Sequence, residues 1–466
     1  MNIVQRMAKI SSIYFVGKGL SGIVTFVMLP IYTNKISTSA YGTFDTINTI
    51  IAVLVPVVCM EIWSGVLRIS YEKDDPCYVK KVCQIGVLIY SLGMLLLGIG
   101  IAIAKFFFSF HFACLTFLLG ITLGSSLLLC DITRANKKNF DYAISGVLAT
   151  VTNATVGVLC VFVFKNENTA LFFATISGYF FQSIFLVIKN QFWQIFHDFK
   201  IEKNVTQKLV KFCWPLIFNT ITNYMSTNFN RVWISFVLGS SMTGIFGVAN
   251  KFVSIVTLIG AVFQYAWLEI TYGINNKILE ERCKVYSEAI HIFSKAMAGV
   301  VICTLPLISV VFPIFVGSDF SEAKDVIPIY YASLWMTLIT GFLLNIFMAE
   351  NYTFAKLILR LIACVINVGL LIVLIYPFDL YGVSMAIVIG SLVEMLLLIL
   401  FLRKRIQMKF YWGTIGFYII FYVGSMICFN QTILMNIIWF VISIACTAMY
   451  CRRELKRIYL LILKKE

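Results

Sequence analysis

The chain predicts an all-α integral membrane protein on three observations: its composition, the length of its apolar runs, and the placement of its lysines and arginines. Of 466 residues, 60% are apolar and 13% charged, against roughly 45–50% and 25% in soluble domains. That surplus exceeds what a soluble core can bury, and lipid is its natural solvent, with about 20 consecutive apolar residues making one spanning helix. Helices are expected and not a β-barrel, because barrel strands alternate polar and apolar residues while this chain stays apolar over long stretches.

Apolar windows fall at 10–33, 44–67, 82–104, 110–130, 142–164, 170–188 and 212–238, then at 244–270, 292–316, 326–348, 357–376, 382–402, 411–429 and 433–450. About fourteen transmembrane helices are therefore expected. Arg6 and Lys9 precede the first run as they would in a signal peptide, but the run is too long and no small-residue cleavage site closes it, so it is read as a retained helix.

The basic residues set the orientation. Alternate connections hold Arg68, Lys73, Lys80 and Lys81; Arg134, Lys137 and Lys138; Lys189 to Lys211; Lys277, Arg282 and Lys284; Arg403 to Lys409; and the tail from Arg452. The opposite side has Lys35, Lys105, Lys165 and Lys324. Both termini are thus expected in the cytoplasm, as a multi-pass protein of the inner (cytoplasmic) membrane. The net charge of +15 is explained by topology, with no nucleic-acid partner.

The longest inside connection separates two groups of six windows. The expected organisation is an N-terminal six-helix bundle over 1–188, a cytoplasmic connector over 189–211, a C-terminal six-helix bundle over 212–402, and two additional helices with a basic tail over 403–466. Glu280 and Lys284, at helical spacing, suggest a short surface helix in the loop 275–287. The thirteen cysteines are scattered without a CxxC pair and the three histidines are isolated, so small hydrophobes are expected in place of disulfides or a metal site. No nucleophile–base set or phosphate loop is present, and the chain reads as neither an enzyme nor a cofactor protein.

An internal repeat appears at an offset of 202 residues. ISTSAYGTFDTIN (36–48) aligns with LGSSMTGIFGVAN (238–250), matching Ser39 with Ser241, Gly42 with Gly244, Phe44 with Phe246 and Asn48 with Asn250. An offset of six helices implies two halves in parallel orientation, a layout found among secondary transporters. These residues, together with NRVWISFVLGSSMTGIFGVANKF, FPIFVGSDFSEAKDVIPIYYASLW and INVGLLIVLIYPFDLYGVSMAIVIG, resemble the Wzx-type polysaccharide transporter branch of the multidrug/oligosaccharidyl-lipid/polysaccharide (MOP) flippase superfamily. The resemblance spans nearly the whole chain. It implies two pseudo-symmetric six-helix bundles around a central cavity, two extra helices, and transfer of a lipid-linked oligosaccharide between leaflets for O-antigen, lipopolysaccharide, capsule or exopolysaccharide assembly. It also implies a polysaccharide polymerase and chain-length machinery as partners. One position departs from the pattern: Asn230 stands where the family often has an acidic residue before the arginine.

Ionisable groups inside spans are costly and face a cavity or a partner. The first helix carries Ser11, Tyr14, Lys18, Ser21, Gly22 and Thr25 at spacings of three and four, and its repeat mate carries Asn219, Asn223, Ser226 and Asn230, with Arg231 alongside. Lys18, Arg231 and Lys251 are candidate cavity cations for a pyrophosphate. Lys18 could equally snorkel to the interface, and the asparagines could serve interhelical bonding. Asp45, Glu61 and Glu394 are candidate coupling carboxylates, though Glu61 and Arg68 share a face and could form a helix-end network. A cation-coupled small-molecule exporter of the same superfamily and a non-transporting scaffold for glycan assembly are the alternatives.

Overall fold

A computed structural model describes residues 22–73, 75–163, 167–195, 201–274, 278–410 and 412–452. Regular structure among the described residues is helical. In chain order the helices are α1 (Leu29–Lys35), α2 (Thr38–Val58), α3 (Ile62–Ser70), α4 (Pro76–Phe108), α5 (Ala113–Ala135), α6 (Asn139–Phe162), α7 (Ala170–Lys189), α8 (Lys203–Thr227) and α9 (Phe229–Val237). They continue with α10 (Ser240–Gly273), α11 (Leu279–Phe315), α12 (Ala323–Ala349), α13 (Thr353–Ile406), α14 (Gly413–Phe429) and α15 (Ile433–Tyr450). Two compact units divide between Gly244 and Ile245. The expected connector 189–211 lies within the first.

Among the described residues, ten helices are long and apolar enough to cross a membrane. One of them, α13, is two helices in a hairpin: Asp379, two residues after Pro377, has φ 48 and ψ −129. Gly382 then lies against the Leu374 carbonyl, which a Cβ there would meet at 2.0 Å. The other expected windows are met by the 17-residue α14 and by a broken helix over 203–237; of the window 10–33, residues 10–21 lie outside the described residues and the rest falls in a broken helix over 22–35. The surface helix expected near 275–287 is different: from Leu279 onward these residues are the opening turns of the long α11, and 275–277 lie outside the described residues.

Local chemistry sets the helix starts. The Ser37 side chain accepts from the Ala40 N–H to open α2, and Thr432 does the same from Met435 for α15. Asp75 accepts from Cys77 ahead of Pro76 at the start of α4, where proline's missing donor costs nothing.

The first unit packs around Ile51, Val55, Ile62, Val66, Val82, Ile85, Leu119, Ile132 and Phe172. Leu95, Leu96 and Ile99 of α4 remain more than half exposed, as a lipid-facing stripe requires. In the second unit α14 and α15 dock onto α11 and α12 through hydroxyls that meet backbone carbonyls. Tyr422 donates to Pro328 O at 2.6 Å and Tyr418 to Ala332 O at 3.0 Å. Pro306 leaves the carbonyl four residues earlier, Ile302, without its helical donor, and the Ser425 hydroxyl, shared with Phe421 O at 3.0 Å, reaches it at 3.2 Å. The Trp439 indole in turn donates to Ser425 Oγ at 2.9 Å.

Such re-satisfaction of a proline-freed carbonyl is what lets the helix break its ladder in lipid. Ser425→Ala should therefore cost about 1–3 kcal/mol, the penalty for a buried polar group left unmet, read as a lowered inactivation temperature in detergent. An unchanged temperature would mean that another donor reaches Ile302.

Candidate functional site

The repeat predicted from sequence recurs in the element boundaries. Helices α2 and α10 start at Thr38 and Ser240, and α1 and α9 end at Lys35 and Val237, all at the offset of 202. The helix leading into α1 is interrupted at Met28, two residues before Pro30, and the one leading into α9 at Asn228. Breaks in spanning helices expose backbone polar groups and are placed where a cavity or protein partner can meet them.

The two equivalent helix starts, α2 and α10, cross at contact distance within the first unit. Thr38 Oγ1 lies 2.7 Å from Ser241 Oγ, and Ser39 Oγ lies 3.0 Å from Ser240 Oγ. Each residue meets the repeat mate of its neighbour, so the contact is reciprocal about a local pseudo-two-fold. Glycine makes the approach possible. A Cβ on Gly42 would come within 1.7 Å of Ser240 O, and one on Gly244 within 2.2 Å of Thr38 O. The matched identities Ser39/Ser241 and Gly42/Gly244 are thus contact residues.

One turn further along α2, Asp45 meets Arg231. Asp45 Oδ1 lies 3.1 Å from Arg231 Nη1, with the two side chains 11% and 19% exposed. The second oxygen, Asp45 Oδ2, is buried without a hydrogen-bond partner, and so is Oδ1 of the neighbouring Asn230. Arg231 stands in the first turn of α9, just past the break at Asn228, where helix N–H groups and the dipole favour negative charge. This pair does not follow the repeat: the positions 202 residues away are Gly247 and Leu29.

Two other carboxylates are engaged. Glu61 sits at a break between α2 and α3, where Met60 and Glu61 both take positive φ. It accepts from Thr220 of α8 at 2.5 Å and from Ser64 at 3.2 Å, and these partners, not Arg68, hold it. Glu394 pairs with Arg360 Nε at 3.1 Å across the α13 hairpin.

Of the remaining sequence-predicted residues, Thr25 and Asn219 are exposed while Asn223 and Lys251 are half-buried. Lys251 lies in the second unit. Lys18 and Ser21 lie outside the described residues. Sequence reading placed Thr220 on the polar line beside Arg231 but did not find that it partners Glu61, nor that Arg360 partners Glu394, nor that Asp45 and Arg231 are partners.

The sequence model of a family described as "Polysaccharide biosynthesis protein" matches residues 7–268, more than half of the chain. The chain belongs to this family. A second model, "Lipid II flippase MurJ", matches residues 286–461, so the two together cover nearly all of this family member and place it in the MOP flippase superfamily. No curated protein matches it. Its fold is similar to that of the lipid II flippase MurJ in an inward closed conformation, at TM-score 0.68 and 15% identity over 95% of this chain and 100% of that one. An inward-facing multidrug resistance MATE transporter of the MOP superfamily follows at TM-score 0.65 and 15% identity, over 83% and 98%.

In this polysaccharide biosynthesis protein, Asn230 departs from the expected acidic residue, and the carboxylate beside Arg231 comes from α2 instead. Arg231 is therefore neutralised in this conformation, and any anion that uses it must compete with Asp45.

Proposed function

We propose that the protein is a flippase for lipid-linked oligosaccharide, carrying polyprenyl-pyrophosphate repeat units across the cytoplasmic membrane for surface polysaccharide assembly by alternating access. The observation that carries this reading is that family models for polysaccharide biosynthesis and for a lipid II flippase tile one chain. An arginine in the first turn of a broken membrane helix fits it, since a pyrophosphate headgroup needs cations at membrane depth. The polymerase and chain-length proteins of the same surface glycan are its proposed partners.

The deciding experiment pairs a deletion strain with proteoliposomes. Restored surface glycan, together with transfer of a fluorescent polyprenyl-pyrophosphate oligosaccharide between leaflets, is the expected result. Uphill movement of a fluorescent organic cation with no effect on glycan would replace this reading by a drug exporter.

The same reading puts both termini in the cytoplasm, an orientation that the distribution of basic loops supports. Cysteines at Ser318 and Ser321, both exposed, should then react with an impermeant maleimide in intact cells. Cysteines at the exposed Lys137 and Arg403 should react only after lysis. The opposite pattern would invert the topology.

A further inference from the structure

We propose that the Asp45–Arg231 pair is an exchange switch, in which an anionic diphosphate takes Arg231 from Asp45 and the released carboxylate takes up one proton. The proposal rests on the flippase reading for the chemistry of the cargo, and on the geometry of the pair for everything else.

The carboxylate occupies the place an anion would take. It lies against the guanidinium in the first turn of α9, and only one of its oxygens is engaged. A buried carboxylate with one oxygen unmet is held by its single cationic partner, and removing that partner leaves an uncompensated charge. The charge disappears when Asp45 Oδ2 gains a proton from water, with the cargo's negative charge now balancing Arg231. The buried Oδ1 of Asn230, also without a donor, adds a hydrogen-bond acceptor where the family pattern would have placed a second carboxylate.

Among the described residues, the surrounding groups offer no other cation to Asp45. The titratable groups within electrostatic reach are Tyr41 on α2, which also senses Arg231 and Tyr32 of α1, and Tyr224 of α8 beside Arg231. Helices α4, α5 and α7, which also pack on α2, bring no charged side chain into contact with the carboxylate among the described residues.

The asymmetry of the pair supports a functional role. The crossing of α2 with α10 is built from repeat-matched residues on both sides, so a purely structural clamp would be expected to be matched too. The positions 202 residues from Asp45 and Arg231 are Gly247 and Leu29, which carry no charge.

The test uses the purified full chain in detergent and farnesyl diphosphate as the probe, titrated calorimetrically at pH 8 in two buffers of different ionisation enthalpy. The parent should take up about one more proton per bound diphosphate than Asp45→Asn, and Asp45→Asn should bind about tenfold tighter because its competitor carries no charge. Asp45→Glu, which keeps the carboxylate, should retain proton uptake, and Arg231→Gln should lose binding. Equal proton uptake by parent and Asp45→Asn, or no gain in affinity in Asp45→Asn at matched folding, would overturn the switch. Glycan export by the parent in the deletion strain reads separately. If export is restored while farnesyl diphosphate ignores Arg231→Gln, the flippase reading stands and the switch is wrong.

Discussion

A disulfide between Thr38→Cys and Ser241→Cys should form readily in otherwise native protein, and adding Gly42→Ala should reduce its yield by about tenfold or more. The two hydroxyls are 2.7 Å apart, so sulfurs in their places would meet, and a disulfide tolerates about 4.4–6.8 Å between Cα atoms. A methyl group at position 42 cannot be absorbed by a side-chain shift, because what it strikes is the backbone oxygen of Ser240 at 1.7 Å and the backbone nitrogen of Gly244 at 2.6 Å. The helices must separate, and the reciprocal serine and threonine contacts go with them. Because close small-residue packing and interhelical hydrogen bonds are what hold helices together in lipid, the crossed arrangement loses both of its supports at once.

Gly100→Ala and Gly146→Ala are the controls, since a Cβ at either has nothing within 4 Å. They should leave the disulfide unchanged and slightly stabilise their helices, glycine being about 1 kcal/mol worse than alanine inside a helix. Undiminished cross-linking in the Gly42→Ala protein would mean that α2 and α10 do not cross as described. If alternating access requires this crossing in one of its states, glycan export should fall in parallel with the cross-link.

Much of this architecture was legible in the sequence, and the repeat offset of 202 shows why. Apolar length and basic-residue placement are properties of single segments, so windows such as 44–67 and 170–188 could be read without knowing what they touch. The match of Ser39 with Ser241 and Gly42 with Gly244 was also visible, but not its reason. Two copies that meet about a pseudo-two-fold need the same small residues, and only the structure shows that these copies meet.

The ion pair was hidden for a related reason. Asp45 and Arg231 are 186 residues apart, and each was weighed separately, one as a coupling group and the other as a cavity cation. No periodicity links a residue of α2 to one in the first turn of α9. The helix breaks were partly legible: Pro377 precedes the Asp379 turn, and Pro30 follows the break at Met28. Met60 and Glu61, four and five residues after Pro56, take left-handed conformations that glycine usually supplies, so the sequence carried no turn signal there. Arg360 was a different case, since it lies inside the 357–376 window and a partner for Glu394 could have been sought on that neighbouring helix.

Removing the Glu394 carboxylate should be among the most damaging single changes in the second unit. Arg360 and Glu394 are 20% and 19% exposed and joined by one bond of 3.1 Å, within a hairpin whose outer faces carry Leu361, Ile362 and Val365, the last 70% exposed. Glu394 lies twelve residues before the end of α13, about 18 Å along the helix at 1.5 Å per residue. Neither charge sits at a helix end where a long side chain could reach water easily. Glu394→Ala takes this carboxylate from the guanidinium, and breaking a buried pair costs about 3–5 kcal/mol. Protein abundance in the membrane should fall several-fold and the inactivation temperature in detergent should drop. Replacing both partners, as in Arg360→Met with Glu394→Leu, removes the two charges together and should recover most of the lost stability, so that the double change is far milder than the sum of the single ones. If the effects of the two single changes instead add, the carboxylate and the guanidinium are not partners in the membrane, and Glu394 is free to serve as the coupling group that its position in the sequence first suggested.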